Sequence, residues 1–294
     1  MRTGSFKGVL LSTLVIVSLV ASITLLLSPS SVHAALTPHA PIYIDGNAGF
    51  TKPDPVNGGG SGTAGDPYII ENWDINASSA NGIWIRNTTA HFVIRNCCVH
   101  NGRNNYYTGI WFESVANGKI DNVILNNNDE GIYLYDSDNN IVTNSTVENN
   151  RNQGIWLSFS SNSTLANNTC DKNSDGVLLH YSDNNIVKNC IANNNSYAGI
   201  HLIYSDTNLI ENCVAKNNYE HGIIFHDGSD NNLITNCTVE NNNDKGIVLV
   251  WSQNNLIKNC IATNNFHGIF LESSSSNTVV ENCVVGGNGG SGIF

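Results

Sequence analysis

Four kinds of side chain in this 294-residue chain recur at spacings that chemistry could use. Cys190, Cys213, Cys237, Cys260 and Cys283 occupy one slot of a repeated phrase. Cys97 matches it earlier, Cys98 adjoins Cys97, and Cys170 falls two positions later. Other copies fill the slot with Ser145 or Val123, the pattern of a small side chain stacked in a core. Disulfides between neighbouring copies and metal thiolates are the other readings; no Cys-x-x-Cys occurs. Histidines form a second set. His180 and His226 share an outward slot two copies apart, and His201 sits between them in the next outward slot. A His180–His201–His226 group suits copper; scattered surface imidazoles are the alternative. Met1 is the only methionine, which excludes a thioether site.

Acids and aromatics complete the inventory. Asp138, Asp183, Asp206 and Asp230 recur in turns. Like charges stacked about 4.8 Å apart repel; bridging calcium would relieve that, and solvation is the alternative. Asp171, Asp175 and Glu113 are scattered, and no arginine follows Arg151. That is little of the converging acid, or acid-plus-base, set of a polysaccharide lyase or hydrolase. Two residues after a marker glycine comes the column Trp84, Trp111, Tyr133, Trp156, Leu178, His201, Ile224, Val248 and Phe270. Tyr135, Phe159, Tyr181, Tyr204 and Trp251 lie one or two slots on. An outward column this apolar marks a binding surface, and aromatics with a polar tip suit sugar faces. Stacking for stability alone is the alternative. Asn-x-Ser/Thr sequons at Asn76, Asn87, Asn144, Asn162, Asn167, Asn194 and Asn236 are glycan acceptors in form, though chance matches are expected in a chain so rich in Asn.

What must position these residues is a repeat. Asn-Asn-apolar-apolar-x-Asn-Cys-x-x-x-Asn-Asn-x-x-x-Gly-Ile-x-Leu is plainest at residues 184–202, 231–249 and 254–271. The marker glycine falls at Gly82, Gly109, Gly131, Gly154, Gly176, Gly199, Gly222, Gly246, Gly268 and Gly292, 22 to 27 residues apart. A fixed period of this size signals a solenoid. Its Gly and Asn are poor helix formers, and its Ile, Val and Thr favour strands. One and three residues after the glycine stand apolar columns, Ile83 to Ile269 and Ile85 to Leu271. Strand side chains alternate faces, so both point inward, joined by Val142, Val187, Ile210, Ile234 and Ile257. The expected fold is all-β: a right-handed parallel β-helix of about ten coils with an N-terminal cap. Asparagines at one turn (Asn139, Asn162, Asn184, Asn231, Asn254, Asn277) and another (Asn149, Asn194, Asn217, Asn241, Asn264) suit tight backbone and stacked amide ladders. The marker glycine is expected to supply a positive φ.

Along the chain, residues 1–34 read as a signal peptide or membrane anchor: Arg2 and Lys7, an apolar run over 9–27, then Val32-His33-Ala34. Residues 35–75 hold five of the six prolines and a Gly-rich loop, the texture of a capping segment; that loop lacks the lysine and helix of a phosphate cradle. Residues 76–294 are the coils. The chain stops just after a fresh repeat begins, which leaves open a partner-covered end or a longer protein. The net charge of −11 becomes −13 once Arg2 and Lys7 are removed, and an acidic, base-poor surface excludes nucleic acid.

Asp66-Pro67-Tyr68-Ile69-Ile70-Glu71-Asn72-Trp73, followed by repeats such as Asn185-Ile186-Val187-Lys188-Asn189-Cys190, resembles the NosD-like group of exported right-handed β-helix proteins. These belong to a broader class of carbohydrate-binding and sugar-hydrolase β-helices. The resemblance implies the fold and, by association, periplasmic copper-site maturation, although no copper-ligand motif matches residue by residue. A repeat is a scaffold code, so function is read from the surface. The expectation is an exported, non-catalytic scaffold binding polysaccharide or a cell-surface partner through Trp84, Trp111, Tyr133, Trp156 and Tyr135. No cofactor is required. Copper at His180, His201 and His226 and calcium at Asp183, Asp206 and Asp230 are the metal readings. A NosD-like copper protein, or a polysaccharide lyase or glycoside hydrolase, is the alternative function. The membrane is touched only through the N-terminal segment if it stays uncleaved.

Overall fold

Short strands and sharp turns alternate through the chain, and rungs of 22 to 27 residues stack in parallel. The computed structural model describes residues 36–51, 54–273 and 275–294; the expected targeting segment lies outside them. The rungs lay their strands on three walls. The marker wall has ten strands, from Ile42–Asp45 to His267–Glu272. A second wall has ten, from Tyr68–Glu71 to Val279–Glu281. The third is split into five strands and four, connected by single bridges through Thr146, Thr169, Ile191 and Val214. This is the parallel solenoid that the period implied.

The inward columns behave as alternation requires. Ile83, Ile85, Ile110, Phe112 and their counterparts up to Ile247 and Leu249 are fully buried, as are Val142, Val187, Ile210, Ile234 and Ile257. They form one continuous core, each side chain contributing about 1.5–3 kcal/mol. The cysteine slot belongs to this core. All eight cysteines are free, and Cys213 Sγ donates to the carbonyls of Glu211 and Val187. Burial pushes the Cys97 thiol up to about 11 and Cys170 well above its ordinary value, so these sulfurs are poor nucleophiles.

The turns divide labour differently from expectation. Positive φ falls mostly on asparagine: Asn139, Asn162, Asn184, Asn231 and Asn254 all lie at φ 56–59°. The marker glycines are not in the left-handed region. They are glycine because walls approach closely: a Cβ on Gly199 would sit 2.7 Å from the Gly222 carbonyl and 2.8 Å from Ala215 Cβ. The strongest amide ladder is made by the second asparagine of each pair, which is buried. The N–H groups of Asn195, Asn218 and Asn242 donate to the Oδ1 of Asn218, Asn242 and Asn265, each at 2.9 Å. A serine ladder does the same at a third corner, as in Ser160 to Ser182 and Ser182 to Ser205, both 3.0 Å.

The proline-rich segment supplies the first rung. Thr37–His39 and Ile42–Asp45 pair with Trp73–Asn76 and Ile83–Thr88. Phe50 is buried, stacked on Tyr68 and packed on Phe92. The Gly-rich loop bonds the open edge of Tyr68–Glu71: Gly58 N–H donates to Ile69 O, and Ile69 N–H to Gly59 O. Closing a free edge is what a capping segment must do.

Candidate functional site

Four columns run along the outside of the marker wall, and strand register fixes their members. Glu130, Gln153, Asp175, Ala198, His221 and Lys245 stand immediately before the marker glycines. Trp84, Trp111, Tyr133 and Trp156 stand two after, in adjacent strands as expected. Arg86, Glu113, Tyr135, Ser158, His180, Ile203 and His226 stand four after. The corner that follows holds Phe159, Tyr181, Tyr204 and Trp251.

The aromatic column is not uniformly solvent-facing. Its tryptophans and Tyr133 are half-buried, whereas Leu178, His201, Ile224 and Val248 farther along are buried, the last two in a small cluster with Ala198 against Tyr197, Val250 and Phe270. Parallel register also forces the rings onto one another. Trp84 and Trp111 stack at 4.7 Å and 4°, and Tyr133 and Trp156 at 4.3 Å and 22°. Ring faces are therefore consumed by stacking. The indole Nε1 atoms of Trp84, Trp111 and Trp156 are buried and have no hydrogen-bond partner. Tyr43 meets Trp84 edge-on, and the two border a cleft of about 390 Å³ with Pro41, Asn81 and Tyr107.

The corner ladder is the exposed part. Phe159, Tyr181 and Tyr204 are 50, 43 and 44% exposed and stack at 5.0 and 4.8 Å. All three have left-handed backbone, φ 48–50°, where Asn87, Asp136 and Asp227 stand in other rungs. Left-handed backbone costs an ordinary L-residue about 1–2 kcal/mol. Tyr133–Tyr135 and Tyr135–Phe159 contacts, each 6.1 Å, join the two ladders into one surface.

The histidines do not converge. His180 and His226 do share a column with Ile203 between them. His226 Nδ1 pairs with Asp227 at 2.8 Å, His180 packs against Tyr181 and Phe159, and His201 Nδ1 lies 3.3 Å from Asp175. Burial and then His201 lower the His180 imidazole below its ordinary value. The aspartates form a capping ladder. Asp183 Oδ1 accepts the N–H of Asp206, and Asp206 Oδ1 that of Asp230, each at 2.7 Å. Those donors offset the repulsion that invited calcium; burial still raises the Asp206 carboxyl, with Asp183 and Asp230 adding to it. Among the described residues no group of three or more His, Cys, Asp or Glu side chains could hold a metal ion.

Sequence reasoning missed one cluster. Asp175 pairs with His201, and the Tyr197 ring contacts the rings of both His201 and His221. Burial drives His221 down to about 4 and raises Tyr197 to about 12, with Asp175, Glu220 and Asp244 adding to the latter. Reading the residue before each glycine as a column would have brought Asp175 and His221 together.

Comparison with solved structures finds the same fold. The A-module of mannuronan C-5 epimerase AlgE4 from Azotobacter vinelandii superposes with a TM-score of 0.62 at 12% identity, covering 87% of each chain. The periplasmic alginate epimerase AlgG gives 0.55 at 15% identity, over 82% of this chain and 83% of that one. Tailspike protein 2 of Escherichia coli O157:H7 bacteriophage CAB120 gives 0.66 at 12% identity, over 84% of this chain and 38% of that one. Identities this low speak to fold alone. No curated protein matches the sequence. The family model described as "Right handed beta helix region" matches residues 102–235 and 198–294. With parallel rungs, three walls and a matching repeat over most of its length, the chain belongs to the right-handed β-helix family.

Proposed function

We propose that the protein is an exported β-helix scaffold that binds a neutral polysaccharide along its aromatic flank. The observation that carries the reading is the run of Phe159, Tyr181 and Tyr204. Three bulky rings in consecutive rungs, and Trp251 farther on, occupy left-handed corner positions where Gly, Asn, Asp or Ser is used elsewhere in the same protein. A backbone cost borne on an exposed surface, in consecutive rungs, points to use. The half-buried stack of Trp84, Trp111, Tyr133 and Trp156 adjoins it through Tyr135 and extends the flank as a continuous aromatic floor. Rungs recur about every 4.8 Å, close to the length of one pyranose unit, so an extended chain meets equivalent groups in successive rungs. The net charge of −11 favours a neutral glycan over a polyanion. Neighbours of like fold that act on mannuronan and alginate support polysaccharide as the ligand class.

The test is Tyr181→Asn with Tyr204→Asn, assayed on a panel of neutral polysaccharides. Asn suits left-handed backbone, so lost stacking of about 0.5–1.5 kcal/mol per pair is offset by about 1–2 kcal/mol of relief at each position. Thermal stability should hold while glycan affinity falls at least about tenfold. Unchanged affinity, or no binding by the parent protein to any glycan, would refute the reading.

A further inference from the structure

Beyond the aromatic flank, the same outer face gathers four titratable side chains from neighbouring rungs. Asp175 and His221 lie in one column and His201 in the next, while Tyr197 comes from the turn just before Ala198–Ile203. Asp175 Oδ1 is 3.3 Å from His201 Nδ1, and both side chains are at least nine-tenths buried. The Tyr197 ring centre is 5.3 Å from that of His201 and 5.7 Å from that of His221. His221 is also nine-tenths buried, and its Nδ1 has no hydrogen-bond partner, an unmet demand that a ligand would satisfy. The fold does not require these residues. Equivalent positions hold Gln153 and Ala198 in the first column, and Leu178 and Ile224 in the second.

An imidazole whose Nδ1–H is held by a carboxylate presents a free Nε2 lone pair as a base. The Tyr197 phenol keeps its proton into alkaline solution and so donates. A base beside a neutral donor suits water activation with stabilisation of a developing oxyanion. Glycosidic cleavage needs two carboxyl groups flanking the bond, and here Asp175 is committed to His201. Sugar carboxylates are repelled by Asp175, Glu220 and Asp244, and the nearby cation Lys245 is paired with Asp244 at 2.8 Å. What remains is a neutral ester.

We propose that His201, Tyr197 and Asp175 form a hydrolytic centre for O-acyl esters on the polysaccharide held by the flank, an inference that rests on the polysaccharide reading. His201 Nε2 takes a proton from water as the water oxygen bonds to the acyl carbon. Tyr197 O–H hydrogen-bonds the carbonyl oxygen as it gains charge. The intermediate then collapses: the bond from acyl carbon to sugar oxygen breaks, and the imidazolium returns its proton to that oxygen. A carboxylic acid and a free sugar hydroxyl leave. Asp175 is a positioning residue that fixes the histidine tautomer.

The experiment measures acetate release from O-acetylated glucomannan by the full chain, with binding followed by tryptophan fluorescence. Wild-type protein should release acetate. His201→Gln should lower kcat about 100-fold or more, and Tyr197→Phe about 100-fold. Asp175→Asn should lower kcat with KM held, and thermal melts establish that each variant is folded. Glucomannan bound without acetate release overturns the hydrolytic centre and leaves the binding reading standing. Full activity in folded His201→Gln overturns it too. Neither binding nor release overturns both.

Discussion

Replacing Asn218 with leucine removes one step from the buried amide ladder. Asn218 Oδ1 accepts the Asn195 main-chain N–H at 2.9 Å, and its Nδ2 donates to the Ala192 carbonyl at 3.1 Å and to Asn242 Oδ1 at 3.0 Å. Leucine is similar in volume but offers none of the three bonds. The Asn195 N–H and the Ala192 carbonyl are then orphaned in residues 1% and 0% exposed. Each orphan costs about 1–3 kcal/mol, so the substitution should cost roughly 2–6 kcal/mol, a large fraction of a typical domain's stability. The adjoining Asn217 is exposed at φ 57°, and Asn217→Ala forfeits only a left-handed preference worth about 1–2 kcal/mol. Urea unfolding followed by tryptophan fluorescence compares the two. Hydrogen exchange should show the Asn195 amide losing protection in Asn218→Leu. The reasoning is refuted if Asn217→Ala is the more damaging, or if Asn218→Leu costs less than about 1 kcal/mol.

Other consequences follow from packing and burial. Gly199→Ala drives a methyl against the Gly222 carbonyl, a main-chain atom that cannot step aside; it should cost about 1–3 kcal/mol, whereas Gly65→Ala, with nothing within 4 Å, should cost little by urea unfolding. His221 is held down to about 4 by burial, so the unfolded chain takes up a proton first as pH falls. Its contribution should be intact above about pH 6.5 and lost between about 6.5 and 4, on the order of 3 kcal/mol at most. His221→Gln should flatten stability over that window, and an unchanged pH profile would contradict the burial argument.

Much of this architecture could be read from residue order, because a solenoid repeats each decision. Ile83 to Ile269 and Val142 to Ile257 declared their faces by alternation alone, and the core confirms them. The cysteine slot was legible as a stacked column because Ser145 and Val123 share it. What stayed hidden depended on neighbours from other rungs. Glycine at Gly199 suggested positive φ, yet the reason is a carbonyl 2.7 Å from where its Cβ would be. The outward column suggested exposed ring faces, but register places Trp84 on Trp111 and covers them. Stacked aspartates suggested a bridging ion; a main-chain N–H one rung away answers each charge. Asp175, Tyr197, His201 and His221 are separated by intervals that match no motif, and only the winding brings them together.

The most direct measurement of glycan binding on the flank is an NMR titration of the indole N–H signals of the five tryptophans with a neutral oligosaccharide. Trp84, Trp111 and Trp156 lie in the stacked column of the flank, whereas Trp73 lies on another wall and donates to the Pro55 carbonyl at 3.2 Å. The account expects the first three signals to move together and saturate while that of Trp73 stays in place. Saturable binding that leaves those three unmoved would contradict it.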